Sequence, residues 1–189
     1  MVKGFKDAVI VGWALMVFSI LLVIVPAYTA NGMALLLGGG KPLDGGRRLP
    51  DGKRILGDGK TVRGTFLGIL LGVLAALILS LVSSIIYGDV PFEGCLLVGA
   101  AASVGAVGGD LLGSFTKRRF NVPSGYPVPF LDQLDFIVMG LFSAYLANLY
   151  WDVIVFTPTV ILVIVVVTPL AHTIGNLIVY KAGRKKHPW

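Results

Sequence analysis

Long runs of apolar residues without a single charge constrain this chain more than any other feature. Residues 8–28 form the first run, and no charged residue follows it until Lys41. About 18 consecutive apolar residues are enough for a helix that crosses the hydrocarbon core of a bilayer. Only 14% of the residues are charged, whereas soluble domains average about 25%. The sequence therefore predicts an all-α integral membrane protein and excludes a water-soluble enzyme.

Five long apolar segments divide the chain, three of them without any charge and two with one or two acids. Each crossing needs about 20 residues, so 189 residues accommodate five transmembrane helices and no separate soluble domain. We therefore predict a single membrane domain over residues 1–189, with two longer polar loops at 38–64 and 117–130 that should carry the functional residues. The predicted crossings are about 8–28, 65–87, 94–116, 131–150 and 153–180.

Basic residues lie mostly on one side of this arrangement. With five crossings the two long loops and the C-terminal tail share a face, and 14 of the 16 Lys and Arg residues fall there. Because basic residues concentrate on the cytoplasmic side of membrane proteins, we predict a multi-pass protein of the cell membrane with the N-terminus outside and the C-terminus and both loops in the cytoplasm. The tail contributes Lys181, Arg184, Lys185 and Lys186, and only Lys3 and Lys6 lie opposite.

The loop 38–64 contains repeated turn signals. Asp-Gly pairs start at Asp44, Asp51 and Asp58, and this dipeptide is typical of tight hairpin turns. Basic and apolar residues flank the pair at Asp51 on both sides. We therefore predict a short cytoplasmic β-hairpin in this loop.

Asp110 is the most informative polar residue, because it lies inside the third predicted crossing. A carboxylate at this depth is costly unless it binds a cation or lines a water-filled cavity. Helical spacing puts Asp110, Ser114 and Lys117 on one face of the helix. The alternative is a structural ion pair between Asp110 and an Arg from another segment.

Asp132 and Asp135 open the fourth crossing from the same side. Alone, they could serve only to stabilise the N-terminus of that helix. Together with Asp110 they would converge beside Lys117 and Arg118. Mg2+ in proteins favours a few carboxylates together with substrate phosphate oxygens, and basic side chains bind the remaining phosphate oxygens. The three carboxylates therefore predict a site for Mg2+ and a polyphosphate.

These residues also carry a resemblance to a known family. The pattern Gly109-Asp110-Leu111-x-x-Ser114-x-x-Lys117-Arg118, followed by Asp132-x-x-Asp135, resembles the signature of the CTP-dependent phosphatidate cytidylyltransferases, the CDP-diacylglycerol synthases. The short chain, the five crossings and the Pro-rich segment 123–129 are more similar to the archaeal branch, the CDP-archaeol synthases. Two features depart from the pattern. Gln133 stands where the family usually has Arg, and the Lys-Asp and His-Gly-Gly elements of the bacterial linker are missing.

The resemblance implies an activity and a site. The activity is Mg2+-dependent transfer of a cytidylyl group from CTP to the phosphate of an unsaturated archaetidic acid, an isoprenoid glycerol phosphate lipid, which yields CDP-archaeol and pyrophosphate. Asp110, Asp132 and Asp135 would be catalytic metal ligands, Lys117 would be catalytic, and Ser114, Lys117 and Arg118 would bind substrate. No nucleic-acid partner is expected, and the oligomeric state is left open.

The basic residues of the loop 38–64 have two explanations. They follow the positive-inside rule and bind anionic lipid head groups, or some of them close over the nucleotide. The candidates for nucleotide binding are Lys41, Arg47, Arg48, Lys60 and Arg63.

His172 and Asn176 are polar residues one turn apart in the fifth crossing. They either face the site of the lipid phosphate or form a hydrogen bond between helices, as polar residues in membrane helices commonly do.

A second hypothesis from another class is a small ion-coupled membrane transporter that uses Asp110 as its ion site. Transporters, however, usually contain duplicated halves with matching broken helices, and no such repeat is visible in the sequence.

Overall fold

The computed structural model describes residues 2–88, 90–128, 130–181 and 183. Within them the chain forms five α-helices, each long and apolar enough to cross a membrane, which confirms the predicted all-α membrane architecture. The orientation of the chain in the membrane stays a prediction, and Pro129, Arg184, Lys185 and Lys186 lie outside the described residues. The helices are α1 Val2–Leu36, α2 Val62–Tyr87, α3 Phe92–Arg119, α4 Leu131–Trp151 and α5 Pro158–Lys181.

The helix bounds differ from the predicted crossings mainly in α1 and α5. Helix α1 extends beyond the predicted 8–28 at both ends, and α5 begins five residues later than the predicted start at Val153. The chain leaves α4 through Asp152, which adopts a left-handed conformation with φ of 47°. Asn148 then accepts hydrogen bonds from the N–H groups of Val153 and Ile154, each at 2.9 Å. Non-helical backbone is thereby satisfied before Pro158 starts α5, a position that suits proline.

Glycines at four-residue intervals bring α2 directly onto α1. Gly64, Gly68 and Gly72 lie on one face of α2, and all three are buried. A Cβ atom at Gly68 would lie 2.5 Å from the carbonyl oxygen of Ala30. Backbones can approach this closely only where side chains are absent, which is how membrane helices commonly pack.

A second glycine stripe on α3 fixes the position of α4. A Cβ atom at Gly105 would collide with the carbonyl oxygen of Met139, and one at Gly109 with that of Asp135. At Gly113 it would collide with the carboxylate of Asp135 itself. The stripe therefore places the side chain of Asp135 directly against the backbone of α3.

The buried core lies among the helices rather than in the loops. Its largest fully buried apolar side chains come from α1, α3, α4 and α5, whereas many large apolar side chains on the outer faces are exposed. Such an apolar exterior suits contact with lipid chains. The core residues include Leu22, Val23, Val98, Ile137 and Ile164.

The loop 38–61 is held together by turns and single bridges, and none of its residues is in a β-strand. One antiparallel bridge joins Arg48 to Arg54, and Leu49 N–H donates to the carbonyl oxygen of Lys53 at 2.9 Å. The predicted β-hairpin is thus only a tight turn with one bridge. A second bridge, between Pro42 and Thr61, joins the two ends of the loop.

We expect Gly68→Ala to destabilise the protein by about 1–3 kcal/mol, the usual cost of overpacking. The added methyl group would lie against the carbonyl oxygen of Ala30. Thermal unfolding in detergent measures the effect, and Gly32→Ala on α1 is the matched control because nothing lies within 4 Å of its Cβ position. Equal melting temperatures for the two variants would contradict the close packing of α1 and α2.

Candidate active site

Asp110 forms an ion pair with Lys60 across a large separation in sequence. Lys60 Nζ lies 2.5 Å from Oδ1 and 2.6 Å from Oδ2 of Asp110. The two side chains remain 26% and 23% exposed, so the pair lies at an accessible edge of the helices. The charge within α3 is therefore compensated by an ion pair with another segment, as in the alternative considered from the sequence, but the partner is a lysine of the first loop and not an arginine.

Lys117 and Asp132 form a second ion pair at the same end of α3. Lys117 Nζ lies 2.6 Å from Oδ1 of Asp132, and the N–H of Val128 donates to Oδ2 at 3.0 Å. Both side chains are about three-quarters buried or more. Asp132 thus binds a cation from α3, which goes beyond stabilising the start of α4.

Asp135 lies against the backbone of α3 at Gly109 and Gly113, the residues on either side of the turn that begins at Asp110. Its carboxylate packs against Gly113, three residues after Asp110 on α3, and Asp132 precedes it by three residues on α4. The structure therefore brings together the three acids that the sequence predicts as metal ligands.

Their chemistry fits a hard divalent cation, because carboxylate oxygens are the ligands that such ions prefer. In the parts of the chain that the structure describes, however, no three Asp, Glu, His or Cys residues are already arranged around one metal position. Two of the three acids, Asp110 and Asp132, are instead neutralised by Lys60 and Lys117.

Ser114 and Arg118 connect α3 to the loops. Ser114 Oγ donates to the carbonyl oxygen of Leu56 at 2.9 Å, which anchors the first loop to the helix. Arg118 Nη2 donates to the carbonyl oxygen of Pro123 at 3.2 Å. The Nε atom of Arg118 is buried and has no hydrogen-bond partner among the described residues. Of these two predicted substrate-binding residues, Arg118 therefore retains an unused donor.

The five predicted nucleotide-binding residues of the first loop do not all lie beside Asp110, Asp132 and Asp135. Lys60 contacts Asp110, whereas Arg48 donates to the carbonyl oxygen of Gly52 at 2.7 Å and Arg63 is exposed at the start of α2. Lys41 and Arg47 border a different cavity of about 670 Å³, which is also lined by Pro42, Leu43, Asp44, Gly45, Ile55, Leu56 and Val62.

Asp44 organises the interior of the first loop, a role that the sequence analysis missed. Its side chain is 1% exposed and forms an ion pair of 2.8 Å with Arg54. The hydrogen bonds from Arg54, followed by those from the backbone N–H groups of Leu56, Gly57 and Gly46, hold the pKa of Asp44 well below its ordinary value. Asp44 is thus a permanently charged acceptor inside the loop.

A further set of contacts fastens the first loop to the end of α3. Arg119 Nη1 lies 2.5 Å from Oδ2 of Asp51, and its Nη2 donates to the carbonyl oxygen of Arg54. Lys53 Nζ donates to the carbonyl oxygen of Arg119 at 2.6 Å. Cations and donors stabilise the C-terminal carbonyl groups of a helix, so loop and helix support each other. The signal in the sequence was the adjacency of basic and acidic residues in both segments, which does not reveal the pairing.

His172 and Asn176 contact each other on α5. Asn176 Nδ2 and His172 Nδ1 are 3.2 Å apart, and the His172 ring lies 6.0 Å from the ring of Phe136, centroid to centroid. Phe136 follows Asp135 in sequence, so His172 lies near the acidic end of α4.

A cavity of about 360 Å³ lies between the C-terminal half of α3 and the N-terminal half of α4. Its lining is mainly apolar, and Asp135 is its one acidic residue. The lining residues are Gly109, Leu112, Gly113, Thr116, Phe130, Leu131, Leu134, Asp135, Val138 and Met139.

Comparison with known proteins identifies the family. A family model described as CarS-like, CDP-archaeol synthase, matches residues 13–189. A CDP-archaeol synthase of Methanosarcina mazei is 45% identical over 174 residues, which span 87% of this chain and 99% of the relative. A CDP-archaeol synthase of Methanocaldococcus jannaschii is 41% identical over 180 residues, which span 92% and 98%. The chain belongs to the CDP-archaeol synthase family.

A solved structure of an intramembrane enzyme for archaeal membrane lipid biosynthesis is also similar, with 35% sequence identity and a TM-score of 0.71. The match covers 82% of this chain and 91% of that one. Membership of the CDP-archaeol synthase family confirms the predicted class, a CTP-dependent nucleotidyltransferase. The transporter hypothesis is not supported.

We expect the Lys60–Asp110 pair to show a clear coupling in stability. Asp110→Asn leaves a largely buried ammonium group without its partner, and Lys60→Met leaves a carboxylate unpaired, so the double variant should be less destabilised than the sum of the single variants. We expect a coupling of about 1–2 kcal/mol, between the values for exposed and buried pairs. A double-mutant cycle followed by unfolding in detergent, without nucleotide or metal, measures it. Additive effects of the two changes would show that the pair does not form.

Proposed function

We propose that the chain transfers the cytidylyl group of CTP to the phosphate of an unsaturated archaetidic acid, with Mg2+ as cofactor, and releases CDP-archaeol and pyrophosphate. The observation that supports this most directly is the convergence of Asp110, Asp132 and Asp135 with Lys60 and Lys117 at one end of α3 and α4. Charged groups of both signs at a membrane boundary suit a polyanion bound together with a cation.

Asp110, Asp132 and Asp135 would hold the metal. Mg2+ bound there would supply positive charge that stabilises the negative charge developing on pyrophosphate as it leaves. Asp135 can contribute because Gly113 lets its carboxylate lie against α3, the helix that carries Asp110.

Lys60 and Lys117 would exchange partners when substrate binds. In the absence of ligand they neutralise Asp110 and Asp132, which lowers the cost of carboxylates within membrane helices. With Mg2+ held by the acids, the two ammonium groups would become available to the phosphate oxygens of CTP. Arg118, whose Nε lacks a partner among the described residues, would add a further donor. Ser114 would act by keeping the first loop on α3 through Leu56.

The chemical step needs positioning more than a general base. A lipid phosphate oxygen is already anionic at neutral pH, so it can attack the α-phosphorus of CTP directly while the bond to the β-phosphate oxygen breaks. Holding both substrates in line is the main contribution that these side chains would make.

The cavity between α3 and α4 provides a route for the lipid. It is mainly apolar and leads to Asp135, so the isoprenoid chains could remain in the hydrocarbon while the phosphate reaches the acids. His172 and Asn176, on the α5 side of Phe136, would border the position of the lipid phosphate.

The remaining basic residues would attract the nucleotide from a cytoplasm-facing surface. A concentration of one sign of charge raises the local concentration of an oppositely charged substrate. The residues proposed for this role are Lys41, Arg47, Arg48 and Arg63.

Purified protein in detergent should release pyrophosphate from CTP in the presence of Mg2+ and the ether-linked lipid phosphate. We expect kcat to fall at least about 100-fold in each of Asp110→Asn, Asp132→Asn and Asp135→Asn, because each removes a proposed metal ligand. One contact that stabilises charge in the transition state is worth several kcal/mol. Turnover is followed with CTP, ATP, GTP and UTP in parallel.

Glu93→Gln is the matched control, since Glu93 is an exposed acid in the first turn of the same helix, far from Asp110. It should retain full turnover. Full activity of Asp110→Asn would remove Asp110 from the metal site, and absence of turnover with every nucleotide in folded protein would contradict the proposed reaction.

Val138→Trp should raise the KM for the lipid about tenfold or more and leave the KM for CTP nearly unchanged. The indole ring of the tryptophan would fill the cavity between α3 and α4, which Val138 lines. Initial rates at varied lipid and fixed CTP, in mixed micelles, measure the effect. Val104→Trp is the control, because Val104 is 53% exposed on α3, as Val138 is 50% exposed on α4, and it does not line the cavity. The same lipid KM in both variants would exclude this route.

A further inference from the structure

We propose that Asp44 is a positioning residue that holds the loop segment 56–60 so that Lys60 reaches Asp110. This inference rests on the function proposed above, in which Lys60 passes from Asp110 to a phosphate of CTP.

Asp44 makes more contacts than a turn residue needs. The bond from Gly46 N–H to Asp44 Oδ1, at 3.0 Å, is the usual contact of an Asp that starts a turn. Arg54 adds two bonds, from Nη2 to Oδ1 at 2.8 Å and from Nε to Oδ2 at 3.2 Å. The N–H groups of Leu56 and Gly57 donate to Oδ2 at 3.0 and 3.1 Å. Asp44 therefore ties the turn at 44–46 to the segment 54–57, which follows it by ten or more residues in sequence.

The segment that Asp44 holds leads directly to Lys60 and to α3. The carbonyl oxygen of Leu56 accepts from Ser114 on α3, at 2.9 Å. The carbonyl oxygen of Gly57 accepts from the N–H of Lys60 at 3.3 Å, and the carbonyl oxygen of Lys60 accepts from Leu43 N–H at 2.7 Å. Lys60 is thus held on one side by Gly57, which is itself bonded to Asp44, and on the other side by Leu43, the residue before Asp44.

Asp44 acts through these neighbours and does not touch the substrate. Its side chain is only 1% exposed, and its two oxygens already accept five hydrogen bonds. An Asn in its place would turn an NH2 group towards at least two of these donors. The loop would then open without any loss of charge at the acids of α3 and α4.

An open loop should affect CTP binding more than the chemical step. When only a fraction of the protein is in the binding-competent state, the apparent dissociation constant rises by the inverse of that fraction. Saturating CTP restores the closed loop. We therefore expect Asp44→Asn to raise the KM for CTP about tenfold and to change kcat by less than about threefold, whereas a merely structural defect would lower the active fraction at unchanged KM.

Asp58→Asn is the matched control. Asp58 also pairs with Arg54, at 2.8 Å, but its side chain is 75% exposed and exposed pairs contribute little. The experiment measures KM for CTP and kcat for wild type and both variants in detergent, together with the thermal midpoint. A raised KM with retained kcat in Asp44→Asn, and neither change in Asp58→Asn, supports the proposal. An unchanged KM in folded Asp44→Asn, or an equal rise in Asp58→Asn, overturns it.

Two further measurements cover failure of folding and failure of the proposed function. If Asp44→Asn does not fold, Arg54→Lys keeps the positive charge but loses the two-nitrogen contact, and it should raise the CTP KM in the same way; an unchanged KM overturns the proposal. If wild-type protein shows no CTP turnover, the proposed function fails. Hydrogen exchange of a peptide over residues 52–62 then decides the structural part, since faster exchange in Asp44→Asn supports the holding role and equal exchange refutes it.

Discussion

The need to neutralise carboxylates at the ends of membrane helices governs the organisation of this protein. A charge on a membrane helix is costly without a partner, and Asp110 obtains one only if the first loop folds back far enough for Lys60 to reach it. That fold in turn depends on the contacts of the loop with Asp44, Ser114 and Arg119. A basic loop that composition alone would assign to membrane orientation is therefore an ordered part of the site.

Features could be predicted from the sequence where the free energy involved is large and depends mainly on residues that are close in sequence. Long apolar segments identified the five helices, because an apolar segment of that length has few alternatives. Asp110, Asp132 and Asp135 stood out since acids are rare at such positions, and the pattern around Asp110 pointed to the family that the comparisons show. The start of α5 was less predictable, because the five residues before Pro158 are as apolar as the helix, and the bonding of Asn148 decides their conformation.

Pairings between distant residues could not be predicted in the same way. The first loop has several lysines and arginines of similar local surroundings, and the register of its turns selects Lys60 for Asp110. Asp44, Asp51 and Asp58 look alike as Asp-Gly turn residues, yet Asp44 has a 1% exposed side chain and Asp58 a 75% exposed one. The predicted hairpin is reduced to the single bridge between Arg48 and Arg54, with hydrogen bonds from Leu49 N–H to Lys53 and from Ile55 N–H to Arg47 on either side of it.

The glycine stripe at 105, 109 and 113 fixes how far apart the acids of the site lie. Because α3 and α4 touch through their backbones, the spacing between the acids of these helices is set by main-chain contact and has little freedom to change. The cations that pair with these acids are the ends of long side chains. Lys117 belongs to α3, and Lys60 belongs to the first loop. The acids are thus held at a fixed spacing, whereas the ammonium group of Lys60 can change position through its own side chain. In the proposed reaction, CTP would bind and pyrophosphate would leave by movement of Lys60 and its loop, without separation of α3 and α4.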